Sequence, residues 1–146
     1  MEVRRAGPGD VDLLTPLFDA YRQFYLLPSD LAKARAFLSE RLSRGEVVVF
    51  LALDGTTALG FTLLYATFSS LIPGPILILN DLYVVPEARS LGVGKALLEQ
   101  ARQHALATGA KRIELATHKD NRGAQRLYES LGYERDQEFY YYGLAV

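Results

Sequence analysis

The succession of elements predicts a mixed α/β sheet of about six to seven strands flanked by about four helices, antiparallel in its first part and parallel at its centre. Two features carry that prediction. Apolar residues alternate between runs at helical spacing and β-branched, strand-like runs along the whole chain. Hairpins come first, joined by tight turns such as "DGTT", and a strand–helix–strand crossover follows.

"EVRRA" reads as a short first strand, and "GPG" breaks the chain before Asp10, a plausible helix start. Val11, Leu14, Phe18, Tyr21 and Tyr25 then recur at helical spacing, with Pro16 inside the pattern predicting a kink or a late start. "LPSD" marks a boundary with Ser29 or Asp30 as N-cap, and Leu31, Ala34, Phe37, Leu38 and Leu42 line a second helix ending near Gly45. "EVVVFLALD" and "ALGFTLLYATFSS" form the hairpin, and "ILILNDLYVV" is the next strand. A helix follows through Val93, Leu97, Ala101 and Ala105, with Gly109 as its stop and His104 expected on its solvent side. "KRIELAT" is a strand, "NRGAQRLYESLG" a helix closed by Gly132, and the tail "YERDQEFYYYGLAV" holds one or two final strands.

With 146 residues the chain reads as a single domain, 1–146, large enough for one substantial core. Sixteen basic and seventeen acidic side chains nearly cancel, so no general attraction for nucleic acid or an anionic membrane is expected. The N-terminus lacks the apolar segment of a signal peptide and no run reaches membrane-span length, which predicts a cytoplasmic protein. The absence of cysteine excludes a disulfide framework, a thiolate metal site and a cysteine nucleophile. Two histidines are too few for a histidine-only metal site, and no metal is expected.

"PEARSLGVGKALL" holds the chemistry-bearing loop. A glycine-rich turn opening a helix attracts anions, because free amides and the helix dipole point the same way. A nucleotide P-loop needs Ser or Thr after the lysine, and Ala96 stands there; a dinucleotide fingerprint needs a third glycine, and Leu97 stands there. What remains is Arg-x-x-Gly-x-Gly, from Arg89 to Gly94, after a strand; it is either an anion seat or a plain strand–helix connection. Downstream, "NRGAQRLYESLGY" places Asn121, Ala124, Leu127, Tyr128, Gly132 and Tyr133 in a second pattern. Tyr128 also lies on an apolar stripe, where an aromatic ring packs a core, and Asn121 also suits an N-cap. In the strand "ILILNDLYVV" an apolar run is broken by Asn80 and Asp81, where a buried carboxylate is costly without a partner.

Taken together, these two motifs closely resemble those of the GNAT N-acetyltransferase superfamily, over nearly the whole chain and most strongly from residue 78 to 133. The resemblance implies the GNAT fold, with a splayed parallel central pair of strands, and acetyl-CoA as cosubstrate. It assigns the CoA pyrophosphate to Arg89, Ser90, Leu91, Gly92, Val93, Gly94 and Lys95, and pantetheine pairing to the backbone of Leu82, Tyr83 and Val84, after a bulge. Asn121 is implied to contact the pantetheine arm, and Tyr128 to act as general acid on the leaving thiolate.

An ammonium of pKa ~10.4 must lose a proton before it attacks, and Asp81 is the candidate base. Without a cysteine, direct transfer within a ternary complex is expected, catalysed by positioning and oxyanion stabilisation. The look of "ILNDLYVVPEARSLGVG" is nearest the spermidine and thialysine acetyltransferases and a related histone-acetyltransferase-like branch. Their usual acidic pair is here Asn80-Asp81, which weakens a polyamine assignment; Asp19 and Asp30 are further acids for facing an amine. "YRQFYLLPSD" supplies rings for an acceptor pocket or for the core, and "FYYYG" suits the interface of a homodimer. The expected activity is acetylation of a small-molecule primary amine. Alternatives are a protein lysine or N-terminal acetyltransferase, and a non-catalytic acyl-CoA sensor.

Overall fold

A computed structural model describes all 146 residues, which pack as two compact units, residues 1–116 and 117–146. The first unit carries strands β1 (Glu2–Arg5), β2 (Val48–Asp54), β3 (Thr57–Ser69), β4 (Gly74–Val84) and β5 (Ile113–Glu114), with helices α1 (Val11–Phe24), α2 (Leu31–Ser43) and α3 (Val93–Thr108). The sheet order is β1-β2-β3-β4-β5; every neighbouring pair is antiparallel except β4 and β5, which run parallel.

Both sheet faces are covered, which explains why β2 reads as an almost unbroken apolar run. Leu14, Leu17 and Phe18 of α1 join Leu38 and Leu42 of α2 over Val49, Leu51, Leu53, Phe61 and Leu63. The alternate residues face α3, where the Phe50 ring meets His104 edge-on at 5.7 Å. His104 is therefore half-buried rather than on the solvent side, and burial lowers its pKa from the ordinary imidazole value.

Helix α1 starts at Val11, after a short 3-10 turn, and continues through Pro16, whose ring stays exposed. Burial of the stripe on the opposite side outweighs the lost backbone bond at that position. Asp30 caps α2 by accepting from the Lys33 amide at 3.0 Å. Gly109 ends α3 in the left-handed conformation (φ 74°), as a helix-stopping glycine should.

The sheet has five strands, fewer than the six to seven expected. The tail from Tyr133 onward forms no strand, although it is rich in β-formers. β-Propensity yields a strand only where a neighbouring ladder supplies hydrogen bonds, and this segment has none. β5 is also shorter than "KRIELAT" suggested, because β4 turns away from it after Ile78. The second unit contains α4 (Arg122–Ser130), followed by Gly132 at φ 94°. No helix is long and apolar enough to cross a membrane.

Gly60 sets the closeness of β3 to the end of β4. A Cβ at this position would stand 2.5 Å from the Tyr83 carbonyl oxygen, a backbone atom that cannot swing aside. Gly60→Ala is expected to cost about 2–3 kcal/mol and to lower the melting temperature by roughly 5–10 °C, measured by calorimetry. An unchanged melt would show that the strands part there without cost.

Candidate active site

The two polar residues in the middle of β4 make a bulge. Leu63 pairs with Asp81 but Leu64 pairs with Leu79, so Asn80 is an extra residue in the ladder. The consequence is a change of face. In a regular strand Leu79 and Asp81 would point the same way. Here Leu79 stays with Leu64 while Asp81 joins Leu63, on the face covered by α1. Thr62 closes the bulge by donating from Oγ1 to the Asp81 carbonyl at 2.8 Å.

Asp81 is 3% exposed, and its carboxylate is incompletely satisfied. Oδ1 accepts from Asn80 Nδ2 at 3.1 Å, whereas Oδ2 has no hydrogen-bond partner. Burial pushes the Asp81 carboxyl up to about 6; the Tyr21 hydroxyl and the Asn80 amide pull the other way. Tyr21, on α1, donates to the Asn80 carbonyl at 3.3 Å. Its own phenol is raised above the ordinary value by burial and by the Asp81 charge. An orphaned, buried carboxylate oxygen costs stability.

The contact between Tyr21 and the bulge was not legible in the sequence. The residue reads there as one more ring on the α1 stripe, and only the register shift brings the polar pair beneath its hydroxyl. Around it, aromatic side chains form a closed circuit. Tyr21 lies 5.1 Å from Tyr25 and 6.5 Å from Tyr83, and Phe24 lies 5.4 Å from Tyr25. The Arg89 guanidinium completes it, 5.9 Å from the Phe24 ring and 5.7 Å from the Tyr83 ring. The other two acids considered for this region have different work. Asp19 accepts from Gln23 Nε2 (3.0 Å), Ser29 Oγ (2.7 Å) and the Asp30 amide (2.7 Å), tying α1 to the start of α2. These bonds, Ser29 first, hold its carboxyl below the usual range. Asp30 is the α2 cap.

The end of β4 and the loop after it present backbone in an unusual way. β4 pairs with β5 only at Leu77–Ile113 and Ile78–Glu114, so Leu82, Tyr83 and Val84 lie beyond the parallel ladder. That is the splayed pair implied by the family resemblance. Arg89 Nε donates to the Val84 carbonyl at 3.0 Å. Ser90 (φ 64°) and Gly92 (φ 85°) are both left-handed, on either side of the exposed Leu91. Gly92 is the N-cap of α3 and brings no side chain to the first-turn amides. The first intrahelical bond comes from the Ala96 amide to the Gly92 carbonyl at 3.0 Å. The amides of Val93, Gly94 and Lys95 therefore lack intrahelical acceptors, and the dipole of a 16-residue helix adds to them. This chemistry fits a pyrophosphate.

Asn121 and Tyr128 belong to the second unit. Asn121 caps α4, its side chain accepting from the Ala124 amide at 3.2 Å. Tyr128 is buried, with its ring 5.8 Å from that of Tyr133.

Comparison with known proteins adds the family. Residues 14–133 match the family described as Acetyltransferase (GNAT) family. The chain is 47% identical over 146 residues to a Bacillus subtilis (strain 168) protein called uncharacterized N-acetyltransferase YhfO, covering 100% of this chain and 98% of the relative. A thialysine N-epsilon-acetyltransferase of Caenorhabditis elegans is more distant, 25% identical over 132 residues and covering 90% of this chain and 82% of that protein. Among solved structures, a probable acetyltransferase superposes with a TM-score of 0.93 at 44% identity, covering 100% of this chain and 98% of the other.

Proposed function

Because the chain belongs to the acetyltransferase (GNAT) family and is an N-acetyltransferase of that family, we propose that it acetylates the primary amine of a small molecule by direct transfer in a ternary complex. The observation that carries this reading is the bulge at Asn80, which turns a buried, half-satisfied carboxylate toward α1 beside the unladdered end of β4. Acetyl-CoA supplies the activated acyl group. The amides of Val93, Gly94 and Lys95, with Arg89, Ser90, Leu91 and Gly92, hold its pyrophosphate; the backbone of Leu82, Tyr83 and Val84 pairs with pantetheine, and Asn121 contacts that arm.

Asp81 binds the acceptor as its ammonium and takes its proton. An ordinary carboxylate would be mismatched with an ammonium of pKa ~10.4 by more than six units, and raising the carboxyl to about 6 narrows the gap to roughly four. The apolar surroundings narrow it further, because desolvation also disfavours the ammonium. Tyr128 donates its proton to the departing thiolate, whose thiol titrates near ~8.5 by analogy with cysteine. We read residues 1–146 as one acetyltransferase domain, a reading supported by a family match that runs through both compact units. A homodimer is part of the same reading, supported by the exposed Phe139, Tyr140, Tyr141, Tyr142 and Leu144.

Calorimetric titration with acetyl-CoA, followed by a thiol-release assay with amines, tests the proposal. Binding and release of one thiol per amine acetylated are expected. Binding without release on any acceptor would make the protein a sensor, and absence of binding would remove the proposal altogether.

A further inference from the structure

The wall built by α1 and β4 carries more than a place for an amine; it carries the shape and charge of what bears that amine. Its inner end is Asp81 Oδ2, a buried carboxylate oxygen without a hydrogen-bond partner. From there the rings of Tyr21, Tyr25, Phe24 and Tyr83 run outward in contact with one another. At the far side the Arg89 guanidinium lies against Phe24 and Tyr83.

We propose that the acceptor is a small monocationic amine with a flat apolar body, whose ammonium meets Asp81 Oδ2 and whose body lies along Tyr21, Tyr25 and Phe24. This rests on the acetyltransferase reading and adds the substrate class to it. Three features of the wall select that chemistry. A buried anionic oxygen next to aromatic rings attracts one ammonium, through charge and through the ring quadrupoles. The further acids near the wall already serve the α1–α2 junction. Asp19 accepts three hydrogen bonds and Asp30 caps α2. The rim of the wall, finally, is apolar where a water-facing turn would ordinarily be polar. Phe24 and Tyr25 are exposed, and Leu26 after them is 93% exposed in a left-handed conformation (φ 64°) that disfavours a leucine. An apolar rim around an acidic focus seats a hydrophobic monoamine.

The test is a thiol-release assay on the full chain with acetyl-CoA and five acceptors: 2-phenylethylamine, ethylamine, spermidine, kanamycin and a short lysine peptide. The expected result is a kcat/KM for 2-phenylethylamine at least about tenfold above each of the others, an aromatic ring in contact with others being worth roughly that factor. Tyr25→Ala should shrink the advantage of 2-phenylethylamine over ethylamine severalfold, mainly through KM. Preference for the peptide would overturn the inference together with the small-molecule acceptor, and preference for spermidine or kanamycin would overturn the inference and leave the acetyltransferase reading standing. So would an undiminished advantage in Tyr25→Ala. No turnover with any of the five, despite acetyl-CoA binding in a separate titration, would overturn it as well; failure of that titration would instead remove the acetyltransferase reading.

Discussion

Asp81→Asn is expected to lower kcat/KM for the preferred amine on the order of 10²-fold at pH 8 and to abolish the acidic limb of the pH profile, whose midpoint in the native protein should lie near 6. The same change should make the protein more stable. Burial raises the Asp81 carboxyl above its unfolded value, so the folded state holds that proton more tightly. The resulting stabilisation is fully present below about pH 4 and is lost as the pH climbs through about 6. Above that, the protein carries a buried charge with one oxygen unpaired. Asn is nearly isosteric, keeps an oxygen for the Asn80 amide and carries no charge. At pH 8 its melting temperature should rise by a few degrees or more, and at pH 4 the difference should vanish. A variant that loses activity and also melts lower at pH 8 would mark Asp81 as structural, and unchanged kcat/KM would remove it as the base.

Tyr128→Phe should lower kcat by a similar factor, on the order of 10²-fold, while the Kd for acetyl-CoA stays within about twofold. The substitution deletes one oxygen and keeps the ring that sits 5.8 Å from Tyr133, so packing in the second unit is largely preserved. Stopped-flow release of thiol separates chemistry from binding. A loss confined to cofactor affinity would place the hydroxyl in binding, and full turnover would exclude it from proton transfer.

The chemistry and the architecture were legible in the sequence to different depths. Asn80 and Asp81 visibly interrupt an apolar run, where the family resemblance implied a bulge, and the glycines at 92 and 109 marked the two ends of α3. Those signals are local, each residue acting on its own backbone. What the bulge accomplishes is not local. The change of face that sends Asp81 toward α1 depends on its ladder with β3, and the hydrogen bond from Tyr21 to Asn80 spans 59 positions of chain. No periodicity reports such a meeting. Asp19 shows the converse. As a lone acid on a helix stripe it suits a binding role, yet three donors from the α1–α2 junction occupy it. The tail misled for a different reason. "EFYYYGLAV" has the composition of a strand, but composition carries no information about whether a ladder partner is in reach.

The most direct test of the account is a crystal structure of the protein with acetyl-CoA. It should show the pyrophosphate oxygens on the amides of Val93, Gly94 and Lys95, pantetheine along Leu82 to Val84, and the acetyl group facing Asp81 Oδ2. A cofactor seated away from the α3 N-terminus, or an acetyl group remote from Asp81, would contradict it.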